Sequence, residues 1–177
     1  WFFDSESNKI LKQSKTIIPA QYKIFDEIIV NAFDQYVRTH FIDSEFKVKN
    51  IKININKESG LISVQNDGEG IKVEMHSKEK IYIPELIFGH LLTSSNYSDS
   101  KIAHVGGKNG YGAKLTNIFS TEFTIETVDC YNKKKYIQTF SENMKGNGGD
   151  TRNIMPYKIA TVVLYIIERV ENELSYY

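Results

Sequence analysis

In the stretch Lys23-Ile24-Phe25-Asp26-Glu27-Ile28-Ile29-Val30-Asn31-Ala32-Phe33-Asp34, the polar residues Lys23, Glu27, Asn31 and Asp34 recur at spacings of four, four and three. On a helix this spacing puts them on one stripe, with Phe25, Ile28, Ile29, Ala32, Phe33 and Tyr36 supplying apolar surface around it. A carboxylate such as Glu27 can orient and deprotonate a water. The amide oxygen of Asn31, one turn on, is a hard ligand suited to Mg²⁺, an ion that keeps most of its waters. A solvent-facing stripe with an ordinary Lys23–Glu27 pair explains the same pattern without chemistry. Taken alone, the helix leaves the two readings level.

Two further stretches add weight. Asn66-Asp67-Gly68-Glu69-Gly70-Ile71 follows an apolar alternating run, so Asn66 falls at a strand terminus where its amide can face a cavity. An acceptor there suits an exocyclic amine, and the glycines would let backbone approach a flat base. Asn-Asp-Gly is also a common hairpin signal, and by itself that simpler reading prevails. Gly106-Gly107-Lys108-Asn109-Gly110-Tyr111-Gly112-Ala113-Lys114 has the glycine density of a phosphate cradle and runs into a predicted helix, whose N-terminal N–H groups favour anions. The frame from Gly107 to Gly112 is not a P-loop, because Ala113 stands where lysine should follow, and no dinucleotide fingerprint is present. A flexible glycine loop is the bland alternative, against which Lys108 and Lys114 favour an anionic ligand.

These residues need a scaffold, and the composition permits one. The chain has 177 residues, 41% of them hydrophobic and 25% charged, enough for a single compact core. Lysine plus arginine equals aspartate plus glutamate at 22 each, so no global basic field points to nucleic acid as the direct ligand. The lone Cys130 cannot form an internal disulfide, which fits a reducing compartment. The longest apolar run, Ile159 to Ile167, is less than half a bilayer span, and no membrane partner is expected.

The elements that position the stretches follow from periodicity. Residues 1 to 18 read as a hairpin or hook, and the aromatic start suggests a fragment. Pro19 precedes a long helix from Gln21 to about Val37. Lys47 to Asn56 alternates, with Ile51, Ile53 and Ile55 on one face, and turns at Glu58-Ser59-Gly60 into Leu61 to Gln65. Glu74 to Lys80 reads as loop, Pro84 to Leu92 as a helix, and Ser94 to Gly112 as a long lid or binding loop. Ala113 to Phe119 resumes a helix, Glu122 to Asp129 and Lys134 to Phe140 make a hairpin, and a Gly/Asn connection at 145 to 150 precedes a final strand from Ile159 to Ile167. The expected fold is α+β, a two-layer sandwich of helices on a mixed, mainly antiparallel sheet. One unit is expected over 1–177, with a nucleotide-binding core at 19–144 and a loop plus final strand at 145–177.

In this order the three stretches resemble the Bergerat (GHKL) ATP-binding fold shared by gyrases, heat-shock chaperones, histidine kinases and MutL proteins. Glu27 to Asp34 resembles its N box, Asn66-x-Gly68-x-Gly70 its adenine box and Gly107 to Lys114 its phosphate lid. Three longer runs sharpen the resemblance to one branch: Tyr22 to Ile28, the segment Ile81-Tyr82-Ile83-Pro84-Glu85-Leu86-Ile87-Phe88-Gly89-His90-Leu91-Leu92-Thr93-Ser94-Ser95-Asn96-Tyr97, and Asn109 to Leu115 followed by Asn117 to Phe123. These are similar to the ATPase domain of eukaryotic-type type IIA DNA topoisomerases, cellular or encoded by a large DNA virus.

The resemblance implies roles position by position. Glu27 would be the general base and Asn31 would complete the Mg²⁺ shell. Asn66 would accept from the adenine amine, with Asp67 in support. Ser94, Ser95 and Asn96 would reach the ribose and α-phosphate. Gly107, Lys108, Asn109, Gly110, Tyr111, Gly112, Ala113 and Lys114 would wrap the β- and γ-phosphates, and Thr161 weakly resembles a threonine lining the adenine pocket. Gln35 stands where the branch often has Asn, and Lys108 where it often has Arg, exchanging a fork for a point charge. Neither the transducer's Gln-Thr-Lys loop nor the swapped N-terminal arm has a counterpart here, and 145–177 departs from the usual pattern. The resemblance implies an ATP-binding and ATP-hydrolysing gate that forms a homodimer on ATP, meets DNA through the full-length protein and leaves DNA cleavage to another domain. Its setting would be the nucleus, or host cytoplasm or virion if viral. The rival readings are a nucleotide-dependent dimerisation module with little turnover, another GHKL ATPase of chaperone or mismatch-repair type, and a non-nucleotide α+β binding domain.

Overall fold

A computed structural model describes residues 1–14, 19–56, 58–90, 111–144, 152–156 and 163–170. Strands β1 (Phe2–Asp4) and β2 (Lys9–Leu11) form a two-stranded antiparallel hairpin. Helix α1 runs from Pro19 to Phe41, longer at both ends than the periodicity predicts. Pro19 fits the first turn, where its missing N–H is no loss. At the other end Arg38 lies in the last turn, where a cation suits the helix dipole, and nothing in the sequence stops the helix before Ile42.

A six-stranded sheet carries the rest, built from β3 (Ile51–Asn56), β4 (Leu61–Asn66), β5 (Ser120–Asp129), β6 (Lys134–Ser141), β7 (Arg152–Pro156) and β8 (Val163–Val170) in the order β3-β4-β8-β5-β6-β7. Every pairing among the described strands is antiparallel, in line with the mainly antiparallel sheet expected. The register sets Ile51, Ile53 and Ile55 opposite Asn66, Val64 and Ile62, which confirms the predicted alternation. Strand β3 is an edge strand, and Ile53 and Ile55 stay exposed on it. Residues 47–50, expected as strand, are not; Thr39 and Asp67 side chains take up backbone N–H groups of Val48, Lys49 and Asn50 instead.

The C-terminal part adds one strand to the sequence reading and extends another. Strand β7 was not anticipated, because its five residues end in Pro156 and carry little alternation; as an edge strand on β6 it tolerates the proline. Strand β8 begins at Val163 and lies between β4 and β5, in the middle of the sheet. The stretch 157–162, which holds the start of the predicted strand and Thr161, lies outside the described residues.

Helices α2 (Ile83–Gly89) and α3 (Gly112–Ile118) join α1 on one side of the sheet. A single apolar cluster unites Ile28 and Ala32 of α1, Val64 of β4, Phe88 of α2, Ala113 of α3, and Phe123 with Tyr136 from the β5–β6 hairpin. Full burial of each large side chain contributes roughly 1.5–3 kcal/mol, so this cluster fixes how α1, α3 and the end of β4 face one another. The described parts of the three candidate stretches lie on or next to those elements.

Candidate functional site

Asn66 ends β4 and is 2% exposed. Its amide nitrogen donates to the Asp67 carbonyl at 2.9 Å, so the amide is oriented with its oxygen left as the acceptor. The following segment is pinned from both sides. Asp67 Oδ1 accepts from the backbone N–H of Lys49 at 2.5 Å and of Asn50 at 2.8 Å, and Oδ2 accepts from Asn50 Nδ2 at 2.8 Å. Burial pushes the Asp67 carboxyl up, but these hydrogen bonds outweigh it and hold its pKa below the usual carboxylate value. Asp67, expected to support the ligand, is a clamp on the neighbouring loop.

Further along, Ile71 N–H donates to Thr127 Oγ1 at 2.9 Å and Val73 N–H to Asp129 Oδ2 at 2.8 Å. Asp129 is 1% exposed and also accepts from the N–H groups of Tyr131 and Asn132, tying the β5–β6 turn to the same segment. Burial raises its pKa and the bonds from Asn132, Val73 and Tyr131 lower it further still, so the net direction is down. The two glycines answer to this packing. Gly70 has φ +71, and a Cβ there would fall on the Val128 carbonyl, whose carbon lies 2.7 Å away; Gly68 has φ +123, with Val48 Cγ2 2.7 Å from the same position. The space these glycines spare is taken by protein, where the sequence reading gave it to a planar base.

The second part of the site is the seam between α1 and α3. Glu27 is partly buried, and Lys23 Nζ lies 2.6 Å from its Oε1. That hydrogen bond, seconded by Asp26 at 3.3 Å, holds the Lys23 pKa above the ordinary lysine value. On the other side the carboxylate meets Gly112: a Cβ on that glycine would clash with Glu27 Oε2 and stand 2.7 Å from Cδ and 2.9 Å from Cβ. The last glycine of the predicted lid thus lies directly on the predicted base. Asn31 is half-buried one turn further along α1. A single amide oxygen cannot cage a cation, but it suits a Mg²⁺ whose remaining positions are water and phosphate oxygens.

Helix α3 opens with Tyr111 as its N-cap and buries Ala113 and Lys114. Lys114 is 1% exposed, and burial pushes its pKa down from 10.5 to about 8. An anion beside it would favour the charged form. Thr116 and Asn117, which the sequence reading passed over, tie the helix to its neighbours: Thr116 Oγ1 lies 3.0 Å from the Ile24 carbonyl, and Asn117 Nδ2 donates to the Phe88 carbonyl at 3.1 Å. No signal in the sequence marks these contacts, which span 92 and 29 positions.

The structure therefore brings Glu27, Asn31, Asn66, Tyr111, Gly112, Ala113 and Lys114 onto elements that share one core. Ser94, Ser95, Asn96, Gly107, Lys108, Asn109 and Gly110 lie outside the described residues.

Comparison with known proteins points one way. No family model matches the chain. DNA topoisomerase 2 of Candida glabrata is 55% identical over 144 residues, 81% of this chain and 10% of the relative. The chain thus spans about a tenth of the length of the curated relatives it matches. Among solved structures, the ATPase region of Saccharomyces cerevisiae topoisomerase II bound to ICRF-187 (dexrazoxane) superimposes with a TM-score of 0.81 at 46% identity, over 95% of this chain and 43% of that one. The ATPase and transducer domains of Balamuthia mandrillaris DNA topoisomerase II give 0.81 at 42% identity, over 95% and 42%. By sequence over four fifths of its length, and by fold over nearly all of it, the chain belongs to the ATPase region of the eukaryotic-type type II DNA topoisomerases.

Proposed function

We propose that the chain binds Mg²⁺-ATP between α1, the end of β4 and the start of α3, and hydrolyses it as the ATP-driven gate of a type II DNA topoisomerase. The observation that carries the reading is the contact of Gly112 with the Glu27 carboxylate, which joins the phosphate-lid stretch to the one acid suited to activate water. Asn66 Oδ1 would accept from the adenine amine. Asn31 would supply one oxygen to Mg²⁺, which when bound neutralises phosphate charge. Glu27 would take the proton of the attacking water, and Lys114 with the lid stretch would stabilise charge as it develops on the γ-phosphate. Ser94, Ser95, Asn96 and Gly107 to Gly110 complete the proposed contacts.

In the whole protein, ATP binding would bring two copies together and close them on DNA, with cleavage residues outside this chain and the nucleus as the setting in a cell. We treat residues 1–177 as one GHKL unit. Among the described residues no helix is long and apolar enough to cross a membrane. The test is Glu27→Gln beside Asn66→Ala in the full-length protein as encoded. Glu27→Gln should bind ATP normally and lose about 10²-fold or more in turnover, the usual contribution of a general base; Asn66→Ala should lose ATP affinity. Unchanged turnover in Glu27→Gln contradicts the mechanism and leaves ATP as a dimerising ligand only.

A further inference from the structure

Helices α1 and α3 touch through paired positions. On α3, Gly112 and Thr116 are four apart and face the same way; on α1, Ile24 and Glu27 are three apart and do likewise. Gly112 meets the Glu27 carboxylate, and one turn later the Thr116 hydroxyl, 0% exposed, stands between the Ile24 carbonyl at 3.0 Å and the Gly112 carbonyl at 3.1 Å. The hydroxyl has one proton and faces two acceptors, one on each helix, so it links the backbone just before the base to the backbone at the end of the lid stretch. Ser120 Oγ donates to the Thr116 carbonyl at 2.6 Å, which anchors the same turn of α3 to the start of β5.

We infer that Thr116 is a positioning residue for ATP hydrolysis, its hydroxyl setting the register of α3 against α1 so that the Glu27 carboxylate meets the lid at Gly112. The inference rests on the proposed role of Glu27 and goes beyond it, since the buried Thr116 hydroxyl faces backbone carbonyls of α1 and α3. Hydrophobic attraction between the helices is non-directional, whereas a buried hydrogen bond from a side chain to one named carbonyl is directional and favours one alignment. A displacement of the base by a fraction of a helical turn is enough to misplace the attacking water.

The test compares Thr116→Val, which keeps the shape and removes the donor, with Thr116→Ser, which keeps the donor, in the full-length protein as encoded. Thr116→Val should lower kcat about tenfold or more with KM for ATP within twofold, and Thr116→Ser should recover most of the rate. Asn117→Ala, which removes the equivalent tie to α2, serves as the stability control: it should lower Tm without lowering kcat at saturating ATP. A Thr116→Val protein with lowered Tm and unchanged kcat, or a Thr116→Ser protein as slow as Thr116→Val, overturns the inference. Glu27→Gln in the same series separates the layers. If Glu27→Gln turns over normally, the functional reading fails; if Glu27→Gln is inactive and Thr116→Val is not, only the positioning role fails.

Discussion

The segment from Asn66 to Val73 and the seam between α1 and α3 are held by different means. The first is bound to its surroundings through backbone groups: Asp67, Thr127 and Asp129 accept N–H groups at 2.5–2.9 Å, and glycines at 68 and 70 let strands approach where no Cβ fits. Asp67 within it and Asp129 beside it are fully engaged, and their pKa values fall. The second brings charged side chains together at a helix seam, with Glu27 wedged between Lys23 and Gly112 and the Lys114 pKa pulled down to about 8 by burial. One region is held by fixed backbone bonds; in the other an arriving anion would favour the charged lysine. This is the division expected of a site that recognises a base by fixed shape and handles phosphate by electrostatics.

The sharpest way to break the comparison is to add one methyl group on each side. Gly70→Ala meets backbone at a left-handed φ, so it should cost about 3 kcal/mol or more of stability, or prevent folding, in a urea titration. Gly112→Ala meets a side chain and not backbone: the Glu27 carboxylate can swing away, but its Cβ, 2.9 Å off, requires a small shift of α3 against α1. It should therefore cost less stability than Gly70→Ala while turnover falls about 10²-fold, the scale of a misplaced catalytic group. Equal losses of stability in both would erase the distinction between a rigid and an adjustable region.

A smaller effect is expected from Asp67→Ala, which hands the exposed N–H groups of Lys49 and Asn50 to water. Losing these bonds should cost about 0.5–1.5 kcal/mol in thermal or urea unfolding, with kcat at saturating ATP preserved. A loss of turnover without a loss of stability would return Asp67 to the ligand.

The smallest concerns Lys114 and has a definite sign. Its folded value of about 8 lies below the ordinary 10.5, so between those pH values the unfolded chain holds more protons than the folded one. Stability from this group is therefore poorest below pH 8 and rises as pH climbs towards 10.5, with a slope of at most about 1.4 kcal/mol per pH unit. Lys114→Met should flatten that rise relative to the parent. ATP binding near pH 8 should take up a fraction of a proton, seen by calorimetry in buffers of different ionisation enthalpy, and the uptake should vanish in the same variant.

How far the sequence reached follows the same boundary. Local patterns gave the long helix, the β3–β4 and β5–β6 hairpins and the helix after the lid, because periodicity and turn residues are written in adjacent positions. The Asn66 and Glu27 stretches were legible from side-chain chemistry at fixed spacing and from the family resemblance. What stayed hidden depends on distant partners. The roles of Gly68 and Gly70 are set by Val48 and Val128, that of Asp129 by Val73, and that of Thr116 by Ile24. The place of β8 in the middle of the sheet likewise follows from pairing with β4 and β5, which an apolar run cannot announce. Strand β7 was too short and too close to a proline to stand out.

A crystal structure of the full-length protein with a non-hydrolysable ATP analogue and Mg²⁺ tests the central claim most directly. The account predicts the adenine amine on Asn66 Oδ1, Asn31 in the metal shell, and the Glu27 carboxylate beside a water in line with the γ-phosphorus. An analogue bound elsewhere, or bound here with Glu27 turned away from the γ-phosphate and still paired only with Lys23, would contradict it.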